Sequence, residues 1–327
     1  MVQLGTAVQP ERDAHPPDRV LENRWWTYQK ERFPLAALTP ALAAFSFAAV
    51  GYSMLARGSA GWPGWRQTAV AFVSSLLFLL QLRLADEFKD FEDDSRYRSY
   101  RPVPRGLIKL RELAFVWAGC VGLQLLLALW LSWRLLPLLG ITWAYLLLMS
   151  KEFFVPNWLK RRALVYMLTH MVIMPFIFLY ASACDWIPAG KARPSQGLIW
   201  MLVVNYFNGM VLEIGRKIRA PREEERGVET YSSLWGRRNA VLAWLAAMTI
   251  TAVVAYVAGR DIHFGRGTAS LLLPALLTST VVGVVFLARG KVCPGKWIDT
   301  VSGLWTLATY LSLGAVPVLL RWYGGQK

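Results

Sequence analysis

The chain has 327 residues, 55% of them apolar and 17% charged, and its 36 Lys and Arg outnumber 21 Asp and Glu to leave a net charge of +15. Soluble domains average about 45–50% apolar and 25% charged residues, so this balance, with 16 Trp, excludes a soluble enzyme, a disordered chain and a nucleic-acid module. A polytopic membrane protein remains, with a basic excess that suits a membrane surface or an anionic ligand.

Residues 1–33 are polar and charged, without the apolar stretch of a secretory signal, and read as a cytoplasmic N-terminal segment. A helix needs about 20 mostly apolar residues to cross the hydrocarbon core. Nine such runs follow, at 34–56, 67–86, 112–131, 135–150, 163–183, 197–214, 239–259, 269–288 and 299–321. Trp133, Pro137 and Gly140 blur the start of the fourth. With the N-terminus inside, the cytoplasmic segments hold 26 Lys and Arg against 9 outside, as the positive-inside rule requires. The prediction is an all-α polytopic membrane protein, nine transmembrane helices in one bundle around a central cavity. That bundle spans 34–321, with the N-terminus and charged loops cytoplasmic and the tail at 322–327 outside.

Cys120, Cys184 and Cys293 lie far apart with no C-x-x-C pair, and His15, His170 and His263 are equally scattered. Neither a disulfide framework nor a zinc ribbon is expected, and His170 reads as a packed histidine. The chemistry concentrates in two loops. After the second run comes Asp86-Glu87-Phe88-Lys89-Asp90-Phe91-Glu92-Asp93-Asp94. A continuing helix would stack Asp86, Asp90 and Asp94 on one stripe with Glu87 beside them. No Lys or Arg is read as following at i+4 to offset them. Such oxygen ligands suit a hard divalent cation, and Mg²⁺ typically binds one or two carboxylates plus substrate phosphates. Arg96, Arg98, Arg101 and Arg105 follow, stiffened by Pro102 and Pro104, and guanidinium forks match phosphate oxygens.

The second loop follows the sixth run. Asn205, Asn208 and Glu213 sit late in that run, where polar groups are costly and commonly functional. Arg216, Lys217, Arg219 and Glu223-Glu224-Glu225 come next, and Glu213 with Lys217 is equally a plain i, i+4 salt bridge. A third basic cluster, Lys151 and Lys160-Arg161-Arg162, lies between the fourth and fifth runs.

Asp86-Glu87-x-x-Asp90-x-x-x-Asp94 followed by Arg101-Pro102-x-x-x-Gly106 resembles the first aspartate-rich motif of the UbiA superfamily of intramembrane prenyltransferases. Asp86 stands for the family's Asn and Glu87 for its first Asp. The nine-run topology, Gly227-x-x-Thr230 and Gly236 extend the likeness along nearly the whole chain. Lys151 is similar to the lysine of a Tyr–Lys signature, with Leu147 at the Tyr position and Tyr145 two residues away. The second motif departs: Glu213 stands for its first acid, Arg216 and Lys217 fill the next slot, and the glutamates come late, past Pro221.

The resemblance implies Mg²⁺-assisted ionisation of an allylic prenyl diphosphate and transfer to an aromatic or lipid-like acceptor within the bilayer. It gives Asp86, Glu87, Asp90, Asp94 and Glu213 as metal ligands. Asp86, Asp90, Asp94 and Lys151 become the catalytic groups, and Arg98, Arg101, Asn208, Arg216 and Lys217 the substrate-binding ones. Phe88, Phe91, Tyr206 or Tyr231 would face the allylic cation. At the second motif two arrangements stay open: Glu223–Glu225 fold back onto a metal, or Arg216, Lys217 and Arg219 hold diphosphate charge directly. A terpene cyclase that quenches the cation internally, and a transporter or lipid-binding scaffold, are the alternatives. A transporter would place its ionisable groups nearer the midplane.

Overall fold

The computed structural model describes residues 23–59, 61–225, 227–289 and 294–324, and every regular element among them is helical. In chain order these are α1 (Arg24–Arg32), α2 (Leu35–Ala56), α3 (Trp65–Lys89), α4 (Phe91–Tyr97), α5 (Leu110–Leu131), α6 (Leu136–Ser150), α7 (Pro156–Lys160) and α8 (Ala163–Met171). Then follow α9 (Ile173–Trp186), α10 (Leu198–Arg216), α11 (Tyr231–Trp235), α12 (Arg237–Asp261), α13 (Gly265–Ala288), α14 (Lys296–Leu313) and α15 (Ala315–Gly324). Among the described residues, 9 helical segments are long and apolar enough to cross a membrane. They coincide with the nine predicted runs, with edges moved by up to a few residues; the last one continues past 321 to Gly324.

Two spans are broken, and proline explains both. Pro175 lacks an N–H, and its ring clashes with the carbonyl four residues back, so α8 stops at Met171 and α9 restarts at Ile173. Pro317 does the same to Leu313, ending α14 before α15. Gly314 at that second break also lets the chain approach α2, because a Cβ there would lie 2.5 Å from Ala48 Cα.

The core sits where α2, α9, α10 and α14 meet. Phe45 packs edge-on against Phe178 and Tyr310, with ring centroids 5.4 and 5.3 Å away. Tyr310 donates its hydroxyl to Asn205 Oδ1 at 2.8 Å, which satisfies a buried amide oxygen in a place water would not reach. Outward, Leu273, Leu277, Val281 and Val284 leave a continuous apolar stripe on α13, and Phe115, Leu126 and Trp130 do so on α5. Stripes of this size belong against lipid.

At one end of the bundle Arg57 grips Asp185 through Nε and Nη2 at 3.0 and 2.7 Å, and Ser53 adds its hydroxyl at 2.7 Å, tying α2 to α9. The other end carries α1, α4, α7 and α11 and the ends of α3 and α10, and gathers most of the charge.

Candidate functional site

The predicted straight continuation of α3 is not kept. The helix ends at Lys89, Asp90 takes φ −94° and ψ 6°, and α4 begins at Phe91. Backbone bonding still runs four residues on, from Asp90 N–H to Asp86 carbonyl at 2.9 Å and from Asp94 N–H to Asp90 carbonyl at 2.8 Å. The bend splits the acidic stripe into two pairs. Asp86 and Asp90 stay open, with side chains 38% and 41% exposed. Glu87 and Asp94 are buried.

Glu87 faces a guanidinium. Arg32 at the end of α1 donates Nε to Glu87 Oε1 at 2.5 Å, and Arg83 Nε lies 3.7 Å from the same oxygen. Asp94 is surrounded by Arg98 at 3.2 Å, Arg101 at 2.5 Å and Arg32 at 3.9 Å. Basic partners therefore exist on the helix after all, Arg98 at i+4 from Asp94 and Lys89 at i+3 from Asp86. Glu87 does not line the cavity described next, and its contact with Arg32 ties α3 to α1.

A cavity of about 340 Å³ opens at this end. Lys89, Asp90, Asp94 and Arg98 come from α3, α4 and their ends, Glu152 and Lys160 from the segment joining α6 to α8, Tyr166 from α8, and Lys217, Thr230 and Tyr231 from the end of α10 and the start of α11. Lys89 Nζ sits between the open carboxylates, 3.5 Å from Asp86 and 3.9 Å from Asp90, and donates to Tyr166 Oη at 2.6 Å. Asp90 has its carboxyl pKa raised, first by burial and then by Asp86 and Asp94, although Lys89 and Arg101 pull the other way. A divalent cation beside it would relieve that repulsion.

Lys151 and Asn208 are not brought to this cavity. Lys151 follows the last residue of α6 and is exposed. Glu152, Phe153 and Phe154 then adopt left-handed φ of 48°, 53° and 61°, a conformation costly for non-glycine residues. This turn buries Glu152 in the cavity wall and lets α7 carry Lys160 there instead. Asn208 is fully buried on α10, five residues below Glu213, and neither its amide nitrogen nor its oxygen makes a hydrogen bond. Glu213 is buried with both oxygens occupied: Oε1 takes Lys217 Nζ at 2.8 Å, and Oε2 takes Arg216 Nε at 2.7 Å. Of the basic pair only Lys217 lines the cavity, its ammonium 5.4 Å from the Tyr231 ring centre. The two charged loops do meet, since Asp90 and Arg98 of the first and Lys217 of the second line the same cavity. Arg98 lines the cavity, while Arg101 stands behind it on Asp94. Of the aromatic candidates Tyr231 is in the wall; Tyr206 hydrogen-bonds the Leu168 carbonyl, and Phe88 and Phe91 are exposed.

Gly227 closes the wall opposite α4. Its φ is 79°, and a Cβ would fall 2.6 Å from the Tyr97 ring, so no other residue fits. Glu152, Lys160, Glu229 and Thr230 were the wall residues least visible from spacing. Lys160 stood in a recognised basic cluster, but nothing in the sequence marks the left-handed turn at Glu152.

As a binding site the arrangement suits a small anion with a hard cation. Among the described residues, no three His, Cys, Asp or Glu side chains gather as a ready-made metal cage. Asp86 and Asp90, which already share one cationic centre, supply the two carboxylates with which Mg²⁺ commonly binds, the rest of its shell being water and phosphate. The donor set therefore fits that ion.

Residues 42–292 match the model of the UbiA prenyltransferase family. The chain belongs to that family and is an integral, multi-pass membrane protein. No match is found among curated proteins. Among solved structures, a UbiA homolog from Aeropyrum pernix K1 superposes with a TM-score of 0.62 at 15% identity, covering 86% of this chain and 97% of that one. A digeranylgeranylglyceryl phosphate synthase gives 0.58 at 14% identity over 89% and 98%. A UbiA homolog from Archaeoglobus fulgidus bound to DMAPP and Mg²⁺ gives 0.53 at 13% over 88% and 99%. These likenesses establish the common fold.

Proposed function

We propose that this member of the UbiA prenyltransferase family transfers a prenyl group from an allylic prenyl diphosphate to an aromatic or lipid-like acceptor within the bilayer, with Mg²⁺ as cofactor. One observation carries the reading. Asp90 stands with Lys89, Arg98, Lys160 and Lys217 around a single cavity at the end of an apolar bundle, and a second open carboxylate, Asp86, lies 3.5 Å from the same Lys89 ammonium. The pairing of DMAPP and Mg²⁺ in the Archaeoglobus fulgidus homolog supports it.

Diphosphate leaves only when its charge is neutralised. Asp86 and Asp90 would hold Mg²⁺, whose charge would make the diphosphate a better leaving group. Arg98, Lys160 and Lys217 would take the oxygens that remain, since guanidinium and ammonium donors form strong bonds to phosphate. When the allylic C–O bond breaks, its electron pair leaves with the diphosphate, and the ring of Tyr231 offers a π-face to the cation left behind. The acceptor then attacks that carbon and gives up a proton. The apolar interior between α2, α9, α10 and α14 suits the prenyl tail. The loop-charge bias supports a cytoplasmic N-terminus and cavity.

Purified protein incubated with Mg²⁺ and prenyl diphosphates of graded length, with and without a lipid extract, tests the reading through released diphosphate and product identity. Prenylated product that requires the extract supports it. Cyclic hydrocarbon formed without any acceptor would identify a cyclase, and no turnover of any prenyl diphosphate would reject both.

A further inference from the structure

Resting on this reading, the second charged loop says how many metal ions the site takes. A second ion would need carboxylates from that loop, and four of its five glutamates are already engaged. Glu213 has one oxygen on Lys217 and the other on Arg216. Glu223 Oε2 accepts the backbone N–H of Ala220 at 2.9 Å and of Gly295 at 2.8 Å, where it ties the loop to the start of α14. Glu224 accepts the Thr230 hydroxyl, with both oxygens 2.8 Å from Oγ1. Glu225 Oε2 is 3.4 Å from the Tyr100 hydroxyl that donates to it. None of these four glutamates lines the cavity; the charged groups that this loop does bring to the wall are the ammonium of Lys217 and the single carboxylate of Glu229.

The remaining acids in the wall do not make good the shortage. Asp93 lies 3.8 Å from Lys160, and Glu152 and Glu229 come from separate segments. No three of the described acidic, His or Cys side chains converge on one point. A dication set against Lys217 would also meet like charge.

We propose that this chain works with one divalent cation, held by Asp86 and Asp90, and that Lys217 supplies as fixed charge what a second ion would otherwise bring to the diphosphate. Arg216 and Glu213 are positioning residues in this arrangement, since Glu213 holds both basic side chains from one turn back on α10.

Counting bound metal tests this without measuring turnover. Full-length protein in detergent is equilibrated with Mn²⁺, an EPR-visible stand-in for Mg²⁺, and with geranyl S-thiolodiphosphate, an analogue that resists ionisation. Bound Mn²⁺ is counted per bound analogue, and thermal unfolding confirms that each variant is folded. The expected count is one in the wild type and near zero in Asp90→Asn. In Lys217→Met the count should stay at one while analogue affinity falls by about tenfold, the worth of one charge-assisted contact. Lys217→Arg should restore most of that affinity. Two Mn²⁺ per wild-type chain would overturn the single-ion proposal and leave the prenyltransferase reading standing. Unchanged affinity in Lys217→Met would overturn the fixed-charge role of Lys217. No Mn²⁺ in the wild type, or an unchanged count in Asp90→Asn, would overturn the metal reading as well.

Discussion

Arg32 and Glu87 stand 55 residues apart in sequence and meet at 2.5 Å, with side chains only 8% and 1% exposed. The pair fastens α1 to the bend where α3 gives way to α4, and so sets the orientation of the acidic pair beside it. Arg32 also reaches to 3.9 Å from Asp94, which links that anchor to Arg98 and Arg101.

Glu87→Gln leaves a buried guanidinium short of its partner. Breaking such a pair costs about 3–5 kcal/mol, so the variant should lose thermal stability clearly, read as a lower Tm in detergent. Its Mg²⁺ concentration for half-maximal rate should stay within about twofold of wild type, because the Glu87 carboxylate is buried against Arg32 and Arg83. A large rise in the Mg²⁺ requirement with an unchanged Tm would put Glu87 back among the ligands.

Asp90→Asn keeps the side-chain volume and removes the charge that would hold the metal. Activity should fall by about 10² or more, in the range for loss of one electrostatic stabiliser, while Tm changes little or rises. Full activity in a folded Asp90→Asn protein would leave these acids as a solvated helix end.

Lys160 and Lys151 separate the geometric assignment from the motif-based one. Lys160→Ala should raise the prenyl diphosphate KM by about tenfold, since about 1.4 kcal/mol of charge-assisted contact is lost. Lys151→Ala should leave KM unchanged. The opposite pattern would mean that the left-handed turn at Glu152–Phe154 is different in the working enzyme.

The pH dependence follows from Asp90. Its folded pKa is raised, chiefly by burial, so protons compete with metal at a higher pH than at an ordinary carboxylate, whose pKa is about 3.9. Acidification should therefore raise the Mg²⁺ requirement before other carboxylates titrate. Without metal the sign for stability is reversed: protonated Asp90 favours the fold, and its contribution is lost as pH rises through the folded pKa. Titrating Mg²⁺ dependence between about pH 5 and 8 in wild type and Asp90→Asn checks this. A flat requirement in the wild type would count against a perturbed Asp90.

The nine spans were legible because each is a run of apolar residues long enough for the bilayer, and the loop charges fixed their number independently. Asp90 was legible because acids at helical spacing need a cation. What stayed hidden depends on distant contacts or on backbone geometry without a sequence marker. Arg32 finds Glu87 only after two helices pack. Glu152 and Lys160 reach the cavity through three left-handed residues, none of them glycine. Glu223 and Glu224 are among the glutamates that could fold back onto a metal, yet they bind Gly295 and Thr230, which spacing alone could not reveal. The two prolines that break spans, Pro175 and Pro317, lie inside apolar runs where hydropathy outweighs them in any count.

The most direct measurement is diphosphate release from an allylic prenyl diphosphate by the purified protein, with Mg²⁺ and then with excess EDTA. The account predicts turnover that depends on Mg²⁺, vanishes with EDTA and returns when Mg²⁺ is restored, whereas full turnover in excess EDTA would contradict it.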